Sequence, residues 1–596
     1  MSTTHTGVAT NTGLGGHTGL AAPTTAGVGA SPQRPDGRLK VSGQFAFSSD
    51  LWAEHMLWGA TLRSPHPRAR ITAIDTGPAE AMAGVHAVLT QRDVPGAKTY
   101  GLEHPDQPVL ADGEVRYQGE PVAIVAADHP ETARRALAAI RVDYEVLDPV
   151  VDAGAALRPD APRVHHDRDN VLRHVPIRRG DPDARAAVVV TGVYEVGMQD
   201  QAFLGPESGL ALPADDGGVD LHVATQWLHV DQQQMAACLG LPRELVRLTL
   251  AGVGGAFGGR EDLSMQIHAC LLALRTRRPV KMVYGREESF FGHVHRHPAR
   301  MFYEHGADAD GRLVYVRARI ELDGGAYASS SGAVVANAAT LGIGPYDVPN
   351  VVMDGYVVYS NNPPCGAMRG FGAVQACFGY ESQMDKLAAA LGMDPVELRI
   401  RNALRTGDRM PTGQLVEGPT PVEELLRRVA DRPPAPAGSD FPPGGTAGTT
   451  GRDNVVRGVG YGIGIKNVCF SEGFDDYATA RVRLELVGGE PAALVHTAAA
   501  EVGQGLVTVQ AQIVRTELGV ERVTIAPADV QVGSAGSSSA SRQTYMTGGA
   551  VQAACQALRR RLLARLPAAG ADGPADGLVF DGGLVRDRAG TVLASV

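Results

Sequence analysis

Aromatic side chains are scarce in this sequence, at 5% of 596 residues. Long coiled coils are also disfavoured, because Gly (73) and Pro (38) punctuate the chain throughout. Excess positive charge is missing: 65 acidic residues face 55 basic ones, for a net charge of -10. Phosphate-backbone recognition needs clustered Lys and Arg, so nucleic acid is excluded as a main partner. No apolar run is long enough to span a bilayer. The N-terminus, MSTTHTGVATNTG, carries no basic patch followed by an apolar stretch, so it does not read as a secretory signal. A cytoplasmic location is the expectation.

Cysteine is equally sparse. Cys238, Cys270, Cys365, Cys377, Cys469 and Cys555 stand alone, with no Cys-x-x-Cys pair among them. An iron–sulfur cluster needs several close thiolates, so none is expected on this chain. Buried free thiols are the default reading.

The length calls for several domains. Residues 1–36, rich in Thr, Gly, Ala and Ser, read as a disordered tail. Residues 37–165 read as a compact unit of strands and helices. Within it, residues 56–62, 71–74 and 121–126 are strand-like, 131–140 helical, and 141–146 alternate as a strand does. Residues 166–431 mix strands, such as 314–322, with helices, such as 381–391. The Pro/Gly-rich stretch 432–454 reads as a linker or insertion. Residues 455–596 resume with strands near 481–486 and 493–498 and a helix over 551–566. The fold class expected is α+β.

Three glycine-rich loops carry the candidate chemistry: Gly254-Gly255-Ala256-Phe257-Gly258-Gly259-Arg260-Glu261, Arg369-Gly370-Phe371-Gly372 and Glu501-Val502-Gly503-Gln504-Gly505. Glycine admits positive φ and close backbone approach, and oriented amides can cradle an anion. Each loop alone reads as readily as a tight turn. None fits a nucleotide fingerprint: there is no G-x-x-x-x-G-K-[ST], and GGAFGG lacks the G-x-G-x-x-G spacing.

In this order, the loops resemble those of the xanthine dehydrogenase/oxidase family's molybdopterin-binding subunit. Supporting stretches are LWGATLRSPHPRARI, RYQGEPVAIVA, MQDQAFLGPES, RPVKMVYGREESF, GPYDVPNV and SRQTYMTGGAVQAA. The resemblance covers nearly everything after about residue 40. It implies an α/β hammerhead domain followed by mixed α+β molybdenum-cofactor-binding domains. It also implies a molybdenum–molybdopterin cofactor, or its cytosine dinucleotide form, with the metal held by pterin sulfurs rather than by protein ligands. Gln226 matches the glutamine whose amide bonds an oxygen on the metal. Gly255, Phe257, Gly258 and Arg369 match cofactor-lining positions, as do Gly503, Gln504, Gly505, Ala540 and Ser541. Glu261 matches a catalytic and substrate-binding glutamate of purine-oxidising members, and Phe371 an aromatic that stacks on a flat substrate.

Two departures from the family pattern stand out. Where purine hydroxylases place an arginine, this chain has Asn337, which supplies no positive charge. The family's catalytic general base lies in a late Gly-x-Gly-Glu motif, and none follows Ser541 here. The expectations are a split gene, a truncated sequence or a subunit without turnover. Gly488-Gly489-Glu490-Pro491 reads instead as a hairpin turn. The implied function is hydroxylation of a purine with water as oxygen donor. Electrons would pass to [2Fe-2S] and FAD partner subunits in a hetero-oligomer. The alternatives are an aldehyde or other N-heterocycle hydroxylase, or a non-catalytic subunit.

Overall fold

The computed structural model describes residues 3–10, 26–433, 458–470, 474–564, 579–582, 584–586 and 590–595. Most of the 432–454 linker therefore lies outside the described residues.

Alternating apolar patterns become strands at nearly the expected places. Leu57–Arg63, Ala69–Asp75, Pro121–Ala127 and Arg141–Val146 form in the first region, with the helix Pro130–Ala139 among them. The run Pro121–Ala127 is buried along its whole length, as suits a central strand without polar alternation. It pairs on one side with Leu57–Arg63 and on the other with Val85–Leu89.

This sheet does not end at the boundary expected near residue 165. It has seven strands, in the order Val246–Leu250, Val219–Val223, Ser208–Pro213, Val280–Val283, Leu57–Arg63, Pro121–Ala127 and Val85–Leu89. The join is the parallel pairing of Val280–Val283 with Leu57–Arg63. Gly59 permits it: a Cβ there would fall 2.5 Å from Met282 Cγ. The hammerhead region and the following region thus share one sheet, because each offers the other an apolar strand edge that would otherwise stay unpaired.

A second sheet, of five strands, runs Val171–Arg179, Asn350–Val358, Leu313–Asp323, Ala299–Ala307 and Val188–Val196. Helices Ser331–Thr340 and Ala373–Leu391 pack on it through Val334, Val335, Ala338, Tyr380, Met384 and Leu387. The third region builds a four-stranded sheet, Thr3–Thr10, Tyr477–Val487, Glu490–Thr497 and Arg522–Ile525. Its core residues Ala478, Val482, Val514 and Leu558 belong to the same buried cluster as Leu57 and Ile124 of the first region. The hairpin turn expected at Gly488-Gly489 is present: Val487 pairs with Glu490, and both glycines have positive φ, 65° and 85°.

The expectation of a disordered tail over 1–36 needs correction at residues 3–10 and 26–36; residues 1–2 and 11–25 lie outside the described residues. Thr3–Thr10 pairs antiparallel with Tyr477–Leu484. Residues 26–36 lie against the helix Leu506–Leu518, where Gln512 donates to the carbonyls of Gly27 and Ala30 at 2.9 and 3.0 Å. Composition alone missed this because the segment supplies backbone partners rather than apolar bulk.

Candidate functional site

Gln226 is the meeting point of the site. It stands between strand Val219–Val223 and helix Leu228–Leu239 and is 2% exposed. Its position is set by Thr225, whose hydroxyl donates to Asp231 at 2.6 Å and accepts the Trp227 N–H at 3.2 Å. Burial pushes the Asp231 carboxyl up to about 8, against the pull of the Thr225 and Gln266 hydrogen bonds.

The Gln226 amide ties two loops together. Its Oε1 accepts the N–H groups of Gly258 (3.0 Å) and Arg260 (3.2 Å), and its Nε2 donates to the Ser538 carbonyl (2.9 Å). The backbone repeats the stitch: Gln226 N–H donates to the Arg260 carbonyl, and Ser538 N–H to that of Gln226, both at 3.0 Å.

The other loops join the same network. Arg369 N–H donates to the Phe257 carbonyl at 2.8 Å, which binds the second glycine-rich loop to the first. The approach is close enough that a Cβ on Gly258 would sit 2.5 Å from the Ala367 oxygen. Ser538 Oγ donates to the Ala500 carbonyl at 2.6 Å, which brings in the third loop. Loops separated by more than a hundred residues therefore converge through Gln226 and Ser538.

Backbone geometry marks the same places. Phe257 (φ 54°), Phe371 (48°), Ala540 (48°) and Ser541 (52°) all occupy the left-handed region without being glycine. Such conformations cost about 1–3 kcal/mol each and persist where surrounding structure over-determines them. Below Ala540 and Ser541 that structure is Arg542. It is fully buried, paired with Asp476, and donates to the carbonyls of Ala535 (2.5 Å), Ser537 (3.2 Å) and Tyr477 (2.9 Å). Sequence reasoning passed over Arg542, although an arginine beside a Ser-rich loop is a signal for carbonyl gathering. It also passed over Arg260, whose guanidinium stacks on Phe203 at 4.1 Å and donates to the Gly255 carbonyl at 2.9 Å.

Two expectations about glycine-loop amides change. The N–H groups of Gly503 and Gly505 point to Glu501 (2.8 and 3.0 Å), and that of Gly258 to Gln226, rather than outward to an anion. Gln504 likewise bonds within its own loop, donating to the Ala500 carbonyl at 3.0 Å. Arg34, from the segment read as a tail, caps this third loop by donating to the Gly503 carbonyl at 2.7 Å.

Glu261 is buried, and its Oε1 accepts the Ser537 hydroxyl at 2.5 Å. Burial pushes its carboxyl up, while Ser537 and the field of Arg542 pull it down. The adjacent Asp262, which accepts from Ser329 at 2.9 Å, is pushed up to about 7 by burial and by the neighbouring acids Glu261, Glu103 and Asp106. Asn337 is buried on the helix Ser331–Thr340. That helix abuts the Phe371 loop, since a Cβ on Gly372 would meet the Val334 oxygen at 2.3 Å. Phe257 is half-exposed and Arg369 exposed, so both are open to a ligand.

A run that sequence reading also overlooked is His293-Val294-His295-Arg296-His297. It meets the second glycine-rich loop, where Arg296 donates to the Gln199 side chain at 2.8 Å and to the Arg369 carbonyl at 2.9 Å.

Comparison with known proteins accords with this layout. The molybdopterin cofactor-binding domain family matches residues 164–403 and again 445–594. The aldehyde oxidase and xanthine dehydrogenase a/b hammerhead domain matches residues 42–148. A probable xanthine dehydrogenase subunit of Bacillus subtilis (strain 168) is 36% identical over 541 residues, covering 89% of this chain and 70% of that protein. The nicotinate dehydrogenase large molybdopterin subunit of Eubacterium barkeri is 39% identical over 408 residues, covering 68% of this chain and 96% of that one. The aldehyde oxidoreductase structure from Desulfovibrio gigas superposes with a TM-score of 0.80 at 29% identity. That match covers 88% of this chain but only 59% of the larger protein. A hammerhead unit continuous with two molybdopterin cofactor-binding domains, with loops joined through Gln226 and Ser538, places the chain in the xanthine dehydrogenase and aldehyde oxidase family of molybdenum oxidoreductases.

Proposed function

We propose that this chain is the cofactor-bearing part of a molybdenum hydroxylase that oxidises a purine of the hypoxanthine or xanthine type, with water as oxygen donor. The observation that supports this most is Gln226, an uncharged amide at the junction of the first glycine-rich loop with the 537–541 loop, beside the buried acid Glu261.

The residues present fit the pterin-bound metal. Non-glycine backbone is held left-handed at Phe257, Phe371, Ala540 and Ser541, and three glycine-rich loops approach one another closely. Residues 255–258, Arg369, 503–505 and 540–541 would hold the pterin, whose molybdenum would supply two-electron oxidation of a ring carbon when bound. Gln226 has one amide hydrogen beyond that given to Ser538, and would offer it to the bound cofactor without adding charge or competing as a ligand. Burial pushes the Glu261 carboxyl up, and in its protonated form it would donate to a ring nitrogen or carbonyl while Ser537 holds its other oxygen. Phe371, in the second loop beside the helix that carries Asn337, would offer a ring face for stacking. Electrons then leave to partner subunits bearing [2Fe-2S] and FAD, in a cytoplasmic hetero-oligomer.

A second reading, a nicotinate or aldehyde hydroxylase, is favoured by Asn337. It places an amide where a guanidinium would steady a charged purine transition state. The test is a substrate panel on the matured complex: hypoxanthine, xanthine, nicotinate and aromatic aldehydes with a dye acceptor. Alongside it run molybdenum and pterin analysis and isotopically labelled water. Purine turnover with labelled product supports the first reading; turnover of nicotinate or aldehydes alone replaces it with the second. Bound molybdenum without turnover of any of them makes the chain a non-catalytic subunit.

A further inference from the structure

We propose that Asp200, His293 and His295 form a binding site for a divalent first-row transition metal, best suited to zinc, which braces the first glycine-rich loop from behind. The three residues each offer one ligand atom, all within 4.8 Å of one another. Asp200 Oδ2 lies 3.1 Å from His293 Nε2 and 3.3 Å from His295 Nε2. Ligand atoms about 2.0–2.2 Å from a tetrahedral ion stand roughly 3.3–3.5 Å apart, so these spacings already approach those of a coordinated set.

The side chains are aimed and held. Asp200 Oδ1 accepts the Ala202 N–H at 2.6 Å, which turns Oδ2 toward the histidines. The Ala202 backbone is itself left-handed, at φ 46°. His293 and His295 are two apart on an extended segment, so their rings fall on one side and stack with centroids 5.3 Å apart. Glu207 Oε1 lies 2.6 Å from His293 Nδ1, the arrangement in which a carboxylate fixes the tautomer of a metal-bound imidazole.

Two observations point to a ligand. The His293 side chain is 1% exposed and that of Glu207 2% exposed, yet no well-formed hydrogen bond satisfies either ring nitrogen or either carboxylate oxygen. Asp200 Oδ2 is likewise unmatched. Buried polar atoms of this kind are costly without a partner. Charge gives the second observation: the Asp200 and Glu207 carboxylates both face the one ring of His293, an arrangement that calls for positive charge there, which a divalent cation held by neutral rings would supply. His295 Nε2 is 2.9 Å from the Phe290 carbonyl, so ligation exchanges that hydrogen bond for a bond to the ion, with the ring turned off the carbonyl and its proton released to solvent. A borderline donor set of two imidazoles and one carboxylate suits zinc rather than magnesium or calcium.

The location gives the site its role. Phe203 packs its ring 5.0 Å from His293 and under Arg260, and Gln201 donates to the Ala367 carbonyl at 2.8 Å. Residues 199–207, anchored by the ion, thus support both the Phe257 and the Arg369 loops. This inference stands apart from the substrate assignment.

The test begins with metal analysis of the intact matured complex, which should show one zinc per chain in addition to molybdenum. After stripping with a strong chelator, the protein should bind one equivalent of Co(II) and develop intense visible bands of tetrahedral cobalt. H293Q should lose at least nine-tenths of the zinc, and E207Q should keep it with about 10–100-fold weaker affinity. A wild-type protein that carries no zinc and takes up neither zinc nor cobalt after chelation overturns the proposal, whatever the variants do. So does a folded H293Q that retains full zinc. In either case His293 is a histidine paired with two carboxylates and nothing more.

Discussion

The first and third glycine-rich loops look alike as sequence and are held in opposite ways. Residues 254–261 are fixed from outside, by the Gln226 amide, the stacked Arg260 and the contact with Ala367. Residues 501–505 are fixed from within, by Glu501, whose carboxylate accepts the N–H groups of Gly503, Gly505 and Val507. From the N-terminal segment, the partly exposed Arg34 adds one further tie. The first loop bears a phenylalanine in a left-handed conformation; in the third, that region is occupied by Gly503 and Gly505. External bracing thus accompanies a side chain held left-handed at φ 54°, between glycines at 100° and 107°, whereas the self-capped loop has glycine alone at positive φ, 112° and 95°.

Substitutions can break this contrast in order of size. The largest effect belongs to R542M beneath Ala540 and Ser541. It strands Asp476 in the interior and should cost about 3–5 kcal/mol, read as a lowered urea midpoint and loss of bound molybdenum. Next, Q226L leaves the Gly258 and Arg260 amides and the Ser538 carbonyl without their partner. The expected loss is about 2–3 kcal/mol in urea unfolding, with cofactor content falling further than stability.

Asp231 sharpens the account through pH. Its ordinary value of 3.8 is raised to about 8 in the fold. Below 3.8 both states are protonated and the group contributes no slope. Between 3.8 and 8 the unfolded chain releases the proton that the folded chain keeps. Stability therefore falls as pH rises, by up to about 1.4 kcal/mol per unit. Urea midpoints at pH 5 and pH 8 should separate more for the wild type than for D231N; equal separation would remove the assignment. The smallest effect belongs to the third loop: R34A should cost under about 1 kcal/mol and leave the Glu501 cap in place, as judged by molybdenum content.

Sequence pattern revealed what local physics controls. The alternation in residues 141–146 and the apolar run at 121–126 gave their strands almost to the residue, and Gly488-Gly489 gave its turn. The helix expected over 381–391 begins instead at Ala373, because Gly372 starts it where the second loop closes. Among the proposed cofactor and substrate positions, Phe257, Phe371, Ala540 and Ser541 were visible only through family resemblance. Nothing in a lone Phe or Ala announces a left-handed backbone. The histidine cluster was invisible for another reason: Asp200 and Glu207 meet His293 only after some ninety intervening residues have folded back. Sheet continuity across residue 165 was hidden likewise, since strand partners are chosen by tertiary neighbours rather than by composition.

That shared sheet has a consequence for biogenesis. On the ribosome, the strand Leu57–Arg63 waits with one edge bare until Val280–Val283 has been synthesised. During that interval the nascent chain presents an apolar ribbon to any strand within reach, its own or a neighbour's. A fragment cut at residue 165 would make the interval permanent. Such a fragment should associate with itself, and adding residues 166–283 to the expressed piece should restore a monodisperse product.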